Sequence, residues 1–327
     1  MLSISSLQDL WSCEKKFDFS QVQRISPRSA PVPMKLGSWL HLLLAAHYSG
    51  KSWPEAHQML ADKFALLDEG MRERYGDLPG RAARLMESYL YHWEVLWRDQ
   101  GSEDFETVAV EKVFETDYFS CTIDLLAKDR NGLYFLMEHK TGKEFPYNHD
   151  MMMLEPQISL QIEAVRAHGY DVRYAIYNYL RSQEPSIPVF NKDGSIRKSF
   201  GKMPSTDYLT LYNTIREQER DPADYQEALD ELAKPSQNKY FKRVQVGRNI
   251  ALARQAASWL VNSVPRAMEL STGAREPIRM VSFRCNMCVY QPLCAAEILG
   301  QNADYVRQTQ YESRSDERVW LKGDDDA

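Results

Sequence analysis

The stretch that decides the fold is IDLLAKDRNGLYFLMEHKTG, residues 123–142. Two runs rich in apolar, β-branched and aromatic residues flank Asn131-Gly132, a dipeptide typical of hairpin turns. We predict two antiparallel strands joined by a three-residue loop, Arg130 to Gly132, with Gly132 in the left-handed conformation. This register places Asp124 opposite Glu138.

Asp124, Glu138 and Lys140 are the candidate catalytic residues. Side chains alternate across a strand, so Glu138 and Lys140 share one face. Two carboxylates can hold Mg2+ or Mn2+, which polarises a phosphoryl oxygen and lowers the pKa of bound water, while a lysine orients that water or stabilises the transition state. The apolar run Leu133 to Met137 indicates a strand buried on both faces, which Thr141-Gly142 is expected to end.

The chain is predicted to begin with helices, and its sequence becomes rich in β-branched and aromatic residues from Phe105. The capping-box pattern Ser6-x-x-Asp9 predicts the start of the first helix. Apolar periodicity predicts a helix over Leu36 to Tyr48 and two longer ones over Trp53 to Arg74 and Arg81 to Trp97. This part of the chain is therefore predicted to be helical.

A mixed α/β fold is predicted for the rest. Thr107 to Phe114 and the two hairpin strands precede a helix that carries Gln157 and Gln161 on one face, and Val172 to Leu180 is a further strand. A polar surface excursion over Ser182 to Pro204 and helices over Asp207 to Leu232 and Arg248 to Leu270 follow. The order predicts an α/β class in which helices flank a mixed central sheet.

Charge is unevenly distributed in a chain of net charge -6. The terminal run Asp324-Asp325-Asp326 is predicted to be a solvated tail. Two basic clusters are Lys192, Arg197, Lys198 and Lys202, and Lys239, Lys242, Arg243 and Arg248 with Tyr240 and Phe241 interleaved. Such a surface could track phosphates while the aromatic rings stack on bases, or it could be an ordinary solvated face.

Cysteine spacing predicts a metal site. Cys285-x2-Cys288-x5-Cys294 lies near the C-terminus and Cys13 lies far upstream. This spacing is unlike a secreted disulfide framework and typical of thiolate ligation in a reducing compartment, so an iron-sulfur cluster, a zinc ion and unligated thiols are the alternatives. Cys121 is predicted to be a small buried apolar residue.

These residues resemble the PD-(D/E)xK nuclease superfamily, and within it the RecB-like and CRISPR-associated exonuclease branch that carries an iron-sulfur cluster. The matching residues are Gly37, His41, Glu111, Asp124, the run Glu138 to Gly142, Gln157 and the four cysteines named above. The resemblance implies a restriction-endonuclease-like core. The family often has Tyr where this chain has Gln161, so the role of Gln161 stays open. Glu111 could face solvent, hold a second metal or orient the lysine.

The resemblance also implies how the site residues act. Its metal ligands would be His41, Asp124, Glu138 and the backbone carbonyl of His139, with Mg2+ or Mn2+ as the metal. Lys140 would serve the water, and Gln157 would complete the pocket. A four-iron, four-sulfur cluster held by Cys13, Cys285, Cys288 and Cys294 would clasp the chain ends together.

The implied activity is that of a metal-dependent DNA exonuclease acting on single strands or DNA ends, in recombination, repair or phage- or CRISPR-type DNA processing. A catalytically silent DNA-binding adaptor of the same fold and a structural zinc-binding interaction protein are the alternatives. The sequence lacks the phosphate-loop pattern of a helicase, so any unwinding requires a partner. It also lacks a signal peptide and an apolar run of membrane-spanning length, and we expect a cytoplasmic protein with no membrane partner.

Four regions are predicted along the chain. Residues 1–104 form a helical N-terminal region with Cys13 and His41, and residues 105–182 form the nuclease core. Residues 183–270 form the substrate-side excursion and helices, and residues 271–327 hold the cysteine cluster and the acidic tail.

Overall fold

The structure, a computed structural model, describes residues 2–101, 103–145, 154–198, 203 and 205–314. Lys202 and the predicted acidic tail lie outside the described residues. The chain divides into two compact units. The first comprises Met1–Pro31, Glu115–Cys121 and Ile250–Ala327, and the second comprises Val32–Phe114 and Thr122–Asn249. The four regions predicted along the sequence stay a prediction.

The described residues form both strands and helices. The strands are β1 (Leu2–Ser3), β2 (Ile25–Pro27), β3 (Phe105–Glu115), β4 (Phe119–Asp129), β5 (Tyr134–Gly142), β6 (Val172–Arg181), β7 (Phe241–Gly247) and β8 (Tyr311–Ser313). The helices are α1 (Ile4–Ser12), α2 (Glu14–Phe17), α3 (Val32–Tyr48), α4 (Trp53–Ala65), α5 (Glu69–Tyr75), α6 (Leu78–Leu90), α7 (Pro156–Ala167), α8 (Tyr208–Glu217), α9 (Gln226–Ala233), α10 (Ile250–Ser271), α11 (Gln291–Ile298) and α12 (Ala303–Gln310). Short π-helical turns cover Asp18–Val22 and Tyr91–Leu96, and 3-10 turns cover Arg98–Gln100, Pro222–Tyr225, Pro235–Gln237 and Phe283–Met287.

The second unit is built on a mixed sheet, as predicted. β4 pairs with β3 and antiparallel with β5, β5 pairs in parallel with β6, and β6 pairs antiparallel with β7. On one face, the apolar side chains of α3 and α6 form a core with alternate residues of the strands, including Leu125, Met137 and Leu180. On the other face, α7 packs against β6. The sheet therefore has helices on both faces.

The predicted hairpin register is confirmed. Leu125 lies opposite Met137 and Lys128 lies opposite Tyr134, and the same register carries Asp124 to the level of Glu138. Gly132 closes the turn with a φ of 81°, a conformation that costs glycine little. The turn residues and the apolar pattern therefore specify the same register between β4 and β5.

One prediction about the strands is wrong, and one strand has no counterpart in the prediction. β5 does not end at Thr141, because Thr141 and Gly142 pair with Leu180 and Arg181 of β6. The sequence predicts only a basic cluster around Lys242, but this segment forms β7. The sequence pattern hid this strand because Arg243, on the same face as the core residue Phe241, contacts Tyr89 and Glu103 instead of apolar side chains.

Several helix limits also differ from the prediction. Ser3, not Ser6, caps α1, since its Oγ accepts the Ser6 N–H at 3.1 Å. The helix predicted over Trp53 to Arg74 is split into α4 and α5, because the Asp68 side chain accepts the Met71 N–H at 2.9 Å and starts a new helix. The helix predicted over Asp207 to Leu232 is interrupted in the same way, where Asp221 and Pro222 begin a 3-10 turn.

The first unit has its own cores. Leu10 and Phe17 pack with Ala267 and Leu270 of α10, and a second cluster includes Leu293. β2 and β8 form a two-stranded sheet, and β1 pairs in parallel with Phe119 and Ser120. None of the helices in the described ranges is long and apolar enough to span a bilayer.

Candidate active site

Alternation along β5 sorts the candidate residues onto two faces of the sheet. Glu138 and Lys140 point to one face, and His139 points to the other, where α3 and α6 pack. Asp124 approaches from β4, and its Oδ2 accepts the backbone N–H of His139 at 2.8 Å. Asp124 therefore lies at the β4–β5 junction of the second unit, where Lys140 Nζ donates to Glu138 Oε1 at 2.9 Å. The predicted ligand Glu138 is not among the ligand atoms that lie within 4.8 Å of one another in the described part of the chain.

A group of three possible metal ligands lies there. One ligand atom each from His41, Glu111 and Asp124 lies within 4.8 Å of the others. His41 Nδ1 is 3.7 Å from Asp124 Oδ2. One imidazole and two carboxylates are a donor set that suits Mn2+ and also accepts Mg2+. The residues present therefore fit a divalent cation.

Asp124 lies in a site that has too little positive charge to balance its carboxylates. Burial raises the pKa of the Asp124 carboxyl well above its usual range, and the nearby carboxylates of Glu138 and Glu111 raise it further. Burial lowers the pKa of His41, whose ring also makes a hydrogen bond to the backbone of His139. A neutral imidazole is the form that a metal ligand requires. A bound cation would relieve the repulsion among the carboxylates.

Glu111 belongs to the ligand group although its role was left open on sequence grounds. It lies within β3 with a φ of 48°, which a residue with a side chain adopts only at a cost of about 1–3 kcal/mol. Such strain concentrates at functional sites. No sequence pattern predicts a left-handed residue inside a strand, so only the structure reveals that Glu111 is aimed at His41 and Asp124.

Glu138 is held by three donors. Its Oε1 accepts from Lys140 Nζ at 2.9 Å and from Gln157 Nε2 at 2.6 Å, and its Oε2 accepts from Gln161 Nε2 at 3.0 Å. Gln157 and Gln161 lie one turn apart on α7, as predicted, and both face the site. Gln161 thus takes part in the site where sequence comparison alone left its role in doubt.

Lys140 lies between Glu138 and Gln157. Its Nζ also donates to Gln157 Oε1 at 3.0 Å. Burial disfavours the ammonium, but the carboxylates of Glu138, Glu155 and Asp124 together outweigh this effect and the pKa of Lys140 is raised. Lys140 is therefore a fixed cation in the site, able to bind a phosphate oxygen or orient a water but not to act as a base.

A buried polar network fixes the His139 side chain on the opposite face. Asn178 Nδ2 donates to His139 Nδ1 at 2.8 Å, and the ring stacks on Tyr48 at 5.7 Å. Because an amide nitrogen only donates, His139 Nδ1 accepts and its proton resides on Nε2. Asn178 is held in turn by Tyr89 at 2.9 Å and by Arg243. The network anchors the residue whose backbone lies beside both His41 and Asp124.

Several residues of the basic cluster between Lys239 and Arg248 contact other parts of the protein. Tyr240 and Phe241 are buried, so neither ring is available to stack on a base. Arg243 is buried against Trp93, 4.1 Å from the ring, and pairs with Glu103. Arg248 pairs with Glu163. Base stacking by Tyr240 and Phe241 is therefore excluded, and the cations of Arg243 and Arg248 are paired with carboxylates of the protein.

The absence of a side chain at Gly37 lets α3 approach β5. A Cβ built at Gly37 would lie 2.7 Å from Thr141 Oγ1, closer than atoms in proteins approach. His41 follows one turn later on α3 and is placed by this approach. Gly37 is therefore a residue that permits close packing of α3 against β5.

Gly37→Ala should therefore destabilise the protein and weaken metal binding. Overpacking costs about 1–3 kcal/mol, against a gain of up to ~1 kcal/mol from helix propensity. Thermal unfolding and Mn2+ titration measure the two effects. Thr141→Ala removes the offending oxygen, so the double variant Gly37→Ala/Thr141→Ala should be at least as stable as Thr141→Ala alone. A single Gly37→Ala variant as stable as wild type would contradict this account.

The cysteines predicted to form the clasp all lie in the first unit. Cys13 Sγ accepts the N–H of Met280 at 3.4 Å, and Cys285 Sγ accepts the N–H of Ser282 at 3.4 Å. The buried carboxylate of Glu14, next to Cys13, accepts the N–H of Ile278 at 2.9 Å and ties the same loop to α2. Cys121 is buried, in agreement with its predicted packing role.

A family model for the PD-(D/E)XK nuclease superfamily matches residues 1–295. The chain belongs to this superfamily. The match covers both units, the ligand group and the cysteine loop, and it confirms the family predicted from Asp124, Glu138 and Lys140. A nuclease of this superfamily has a nucleic acid as its substrate.

Two solved structures are distantly similar to this chain. A putative exonuclease from Eubacterium rectale shares 12% sequence identity with a TM-score of 0.42, over 88% of this chain and 87% of that one. A phage-related exonuclease from Haemophilus somnus shares 8% identity with a TM-score of 0.24, over 61% of this chain and 85% of that one. No curated protein matches the chain.

Proposed function

We propose that this protein is a divalent-metal-dependent DNA nuclease that acts as an exonuclease on single strands or DNA ends. The observation that carries the proposal is the convergence of His41, Glu111 and Asp124 within 4.8 Å, in the same site as Lys140. A catalytically silent adaptor would have no use for a buried carboxylate group with a strained glutamate. The proposed setting is cytoplasmic DNA recombination, repair or phage- or CRISPR-type processing, with a helicase as partner where duplex must be opened.

The chain's own residues have distinct roles in this proposal. His41, Glu111 and Asp124 hold the cation, and the His139 carbonyl and Glu138 are further ligands. When bound, Mg2+ or Mn2+ neutralises phosphate charge and lowers the pKa of a water. Lys140, fixed by Glu138 and Gln157, binds a non-bridging phosphate oxygen or orients the attacking water. Gln157 and Gln161 hold Glu138 in place through its two oxygens.

Linear and circular DNA distinguish the modes of cleavage. We expect the protein with Mn2+ to degrade linear single-stranded DNA to short products, to act on duplex only from ends, and to leave covalently closed circles intact. Electrophoresis of end-labelled and circular substrates, single- and double-stranded, measures this. Cleavage of circles at the rate of linear DNA would contradict the exonuclease proposal, and binding of DNA without any cleavage would favour the adaptor.

The four cysteines of the first unit support a proposal of a four-iron, four-sulfur clasp and of the RecB-like branch. Cys13 and Cys285 accept backbone N–H groups, which stabilise thiolates and are among the means by which proteins tune iron-sulfur sites.

Cys13→Ser should remove the cluster and destabilise the first unit, because the free energy of cluster binding contributes to folding. We expect anaerobically purified wild-type protein to be brown and to contain iron and sulfide in near-equal amounts, and the variant to be colourless with a lower melting temperature. Absorption spectra, iron and sulfide analysis and thermal unfolding measure these effects.

Cys121→Ser is the matched control for the clasp. Cys121 is buried within β4 and is not proposed as a ligand, so this variant should keep its colour and its iron. Loss of colour in Cys121→Ser with retention in Cys13→Ser would contradict the proposed ligand set. Zinc in place of iron in the wild type would contradict the cluster and leave the nuclease proposal standing.

A further inference from the structure

A row of side chains crosses the sheet from Lys140. Lys140 pairs with Tyr179 in the parallel β5–β6 ladder, and Tyr179 pairs with Lys242 in the antiparallel β6–β7 ladder. Residues paired in register across neighbouring strands point to the same face. Lys140, Tyr179 and Lys242 therefore lie side by side on the face that carries Glu138.

The neighbouring rows have a different character. One row back, Glu138 pairs with Tyr177, and Tyr177 pairs with Val244. The Tyr177 hydroxyl donates to Glu155 at 3.3 Å, so this row is acidic and suited to a cation. The row of Lys140 carries a lysine at each end and is suited to an anion. Arg243, next to Lys242 in sequence, points to the opposite face, where it donates a hydrogen bond to Asn178.

Geometry sets the spacing of the two lysines. Strands in a sheet lie about 4.8 Å apart, so the backbones of Lys140 and Lys242 are roughly 10 Å apart. The ~3.4 Å rise of a B-form strand is measured along the helix axis, and successive phosphates lie farther apart than this, so the span covers fewer than three nucleotides. Lys242 is partly exposed. A DNA strand with its scissile phosphate at Lys140 could therefore place a second phosphate, within three nucleotides, at Lys242.

We propose that Lys242 is a substrate-binding residue that holds a non-scissile phosphate of the strand being cut. Tyr179 is buried between the two lysines, so the strand is held by the Lys140 and Lys242 side chains and not by the Tyr179 ring. The proposal rests on the proposed nuclease function and adds the path of the substrate. Lys242 contributes affinity and register, and Lys140 contributes to the chemical step.

DNA affinity of uncut complexes tests the path. In a Lys140→Ala background, Lys242→Ala should weaken binding of a single-stranded oligonucleotide and reduce the slope of log K against log salt by about 0.7, the value for one phosphate contact. Lys242→Arg should restore both. Lys128→Ala is the matched control, because Lys128 lies on the same face but pairs with Tyr134, roughly 20 Å along the strand from Lys140. It should change neither quantity.

A scan with single neutral methylphosphonates locates the contact. At one position within three nucleotides of the scissile bond, the neutral linkage should remove the contact with Lys242. There it should weaken DNA binding by the Lys140→Ala protein, and it should not change DNA binding by Lys140→Ala/Lys242→Ala. Equal effects on both proteins at every position would overturn the proposal. Failure of the wild-type protein to cleave DNA would overturn the nuclease function instead, and the two failures are distinguishable because this scan needs no cleavage.

Discussion

Lys140→Ala should lower the rate of DNA cleavage by about 100-fold or more and leave the fold and the DNA affinity nearly unchanged. Such a loss corresponds to about 2.7 kcal/mol of transition-state stabilisation. The fold should survive because Glu138, the partner of Lys140, keeps the amide donors of Gln157 and Gln161 at 2.6 and 3.0 Å. Removing the lysine therefore leaves no unpaired buried carboxylate.

Single-turnover cleavage and DNA binding, measured on the same preparations, separate chemistry from affinity. Lys128→Ala should cleave at the wild-type rate, since Lys128 lies far along the strand beside Tyr134. Wild-type cleavage by freshly purified Lys140→Ala would remove Lys140 from the mechanism. An equal loss of rate and affinity would mean that Lys140 only binds substrate.

Asp124→Asn should have opposite effects on function and stability. We expect Mn2+ affinity to fall by ~100-fold or more, because loss of a direct ligand should exceed the 10- to 100-fold effect of losing an outer partner. Without metal, the variant should be more stable than wild type, because a buried carboxylate beside Glu111 and Glu138 is replaced by a neutral amide of the same shape. The amide oxygen can still accept the His139 N–H.

Asp129→Asn is the matched control on the same strand. Asp129 accepts the N–H groups of Asn131 and Leu133, both at 2.9 Å. Burial is the largest single effect on its carboxyl and raises the pKa, but the hydrogen bonds from Leu133, Tyr174 and Asn131 together hold the pKa below its usual range. Its amide variant should therefore lose stability and keep Mn2+ affinity. Electron paramagnetic resonance of free Mn2+ and thermal unfolding in chelator measure both proteins. Lower stability of metal-free Asp124→Asn would contradict the account of the site.

The hairpin and its residues could be predicted because local chemistry decides them. Asn131-Gly132 fixes the turn, the turn fixes the register, and alternation then places Asp124 near Glu138 and Lys140. Gly37 was also interpretable, since a missing side chain one turn before His41 indicates a close approach. These inferences need only the periodicity of a strand and of a helix.

The remaining features depend on partners far away in sequence. Glu111 enters the ligand group through a left-handed conformation that no neighbouring residue dictates. Arg243 lies in a basic run, yet Tyr48, Tyr89 and Glu103 bury it. Its surroundings come from α3, α6 and the segment before β3, and a single sequence does not show that they meet. Cation clusters therefore predict nucleic-acid surfaces poorly where a strand alternates between two faces.

Restoration of cleavage to metal-free protein tests the central claim most directly. We expect chelator-treated wild-type protein to release no nucleotides from linear single-stranded DNA, and added Mn2+ to restore release in the wild type but not in Asp124→Asn. Cleavage that persists in excess chelator, or that Mn2+ restores equally in Asp124→Asn, would contradict the claim that His41, Glu111 and Asp124 form the metal site of a nuclease.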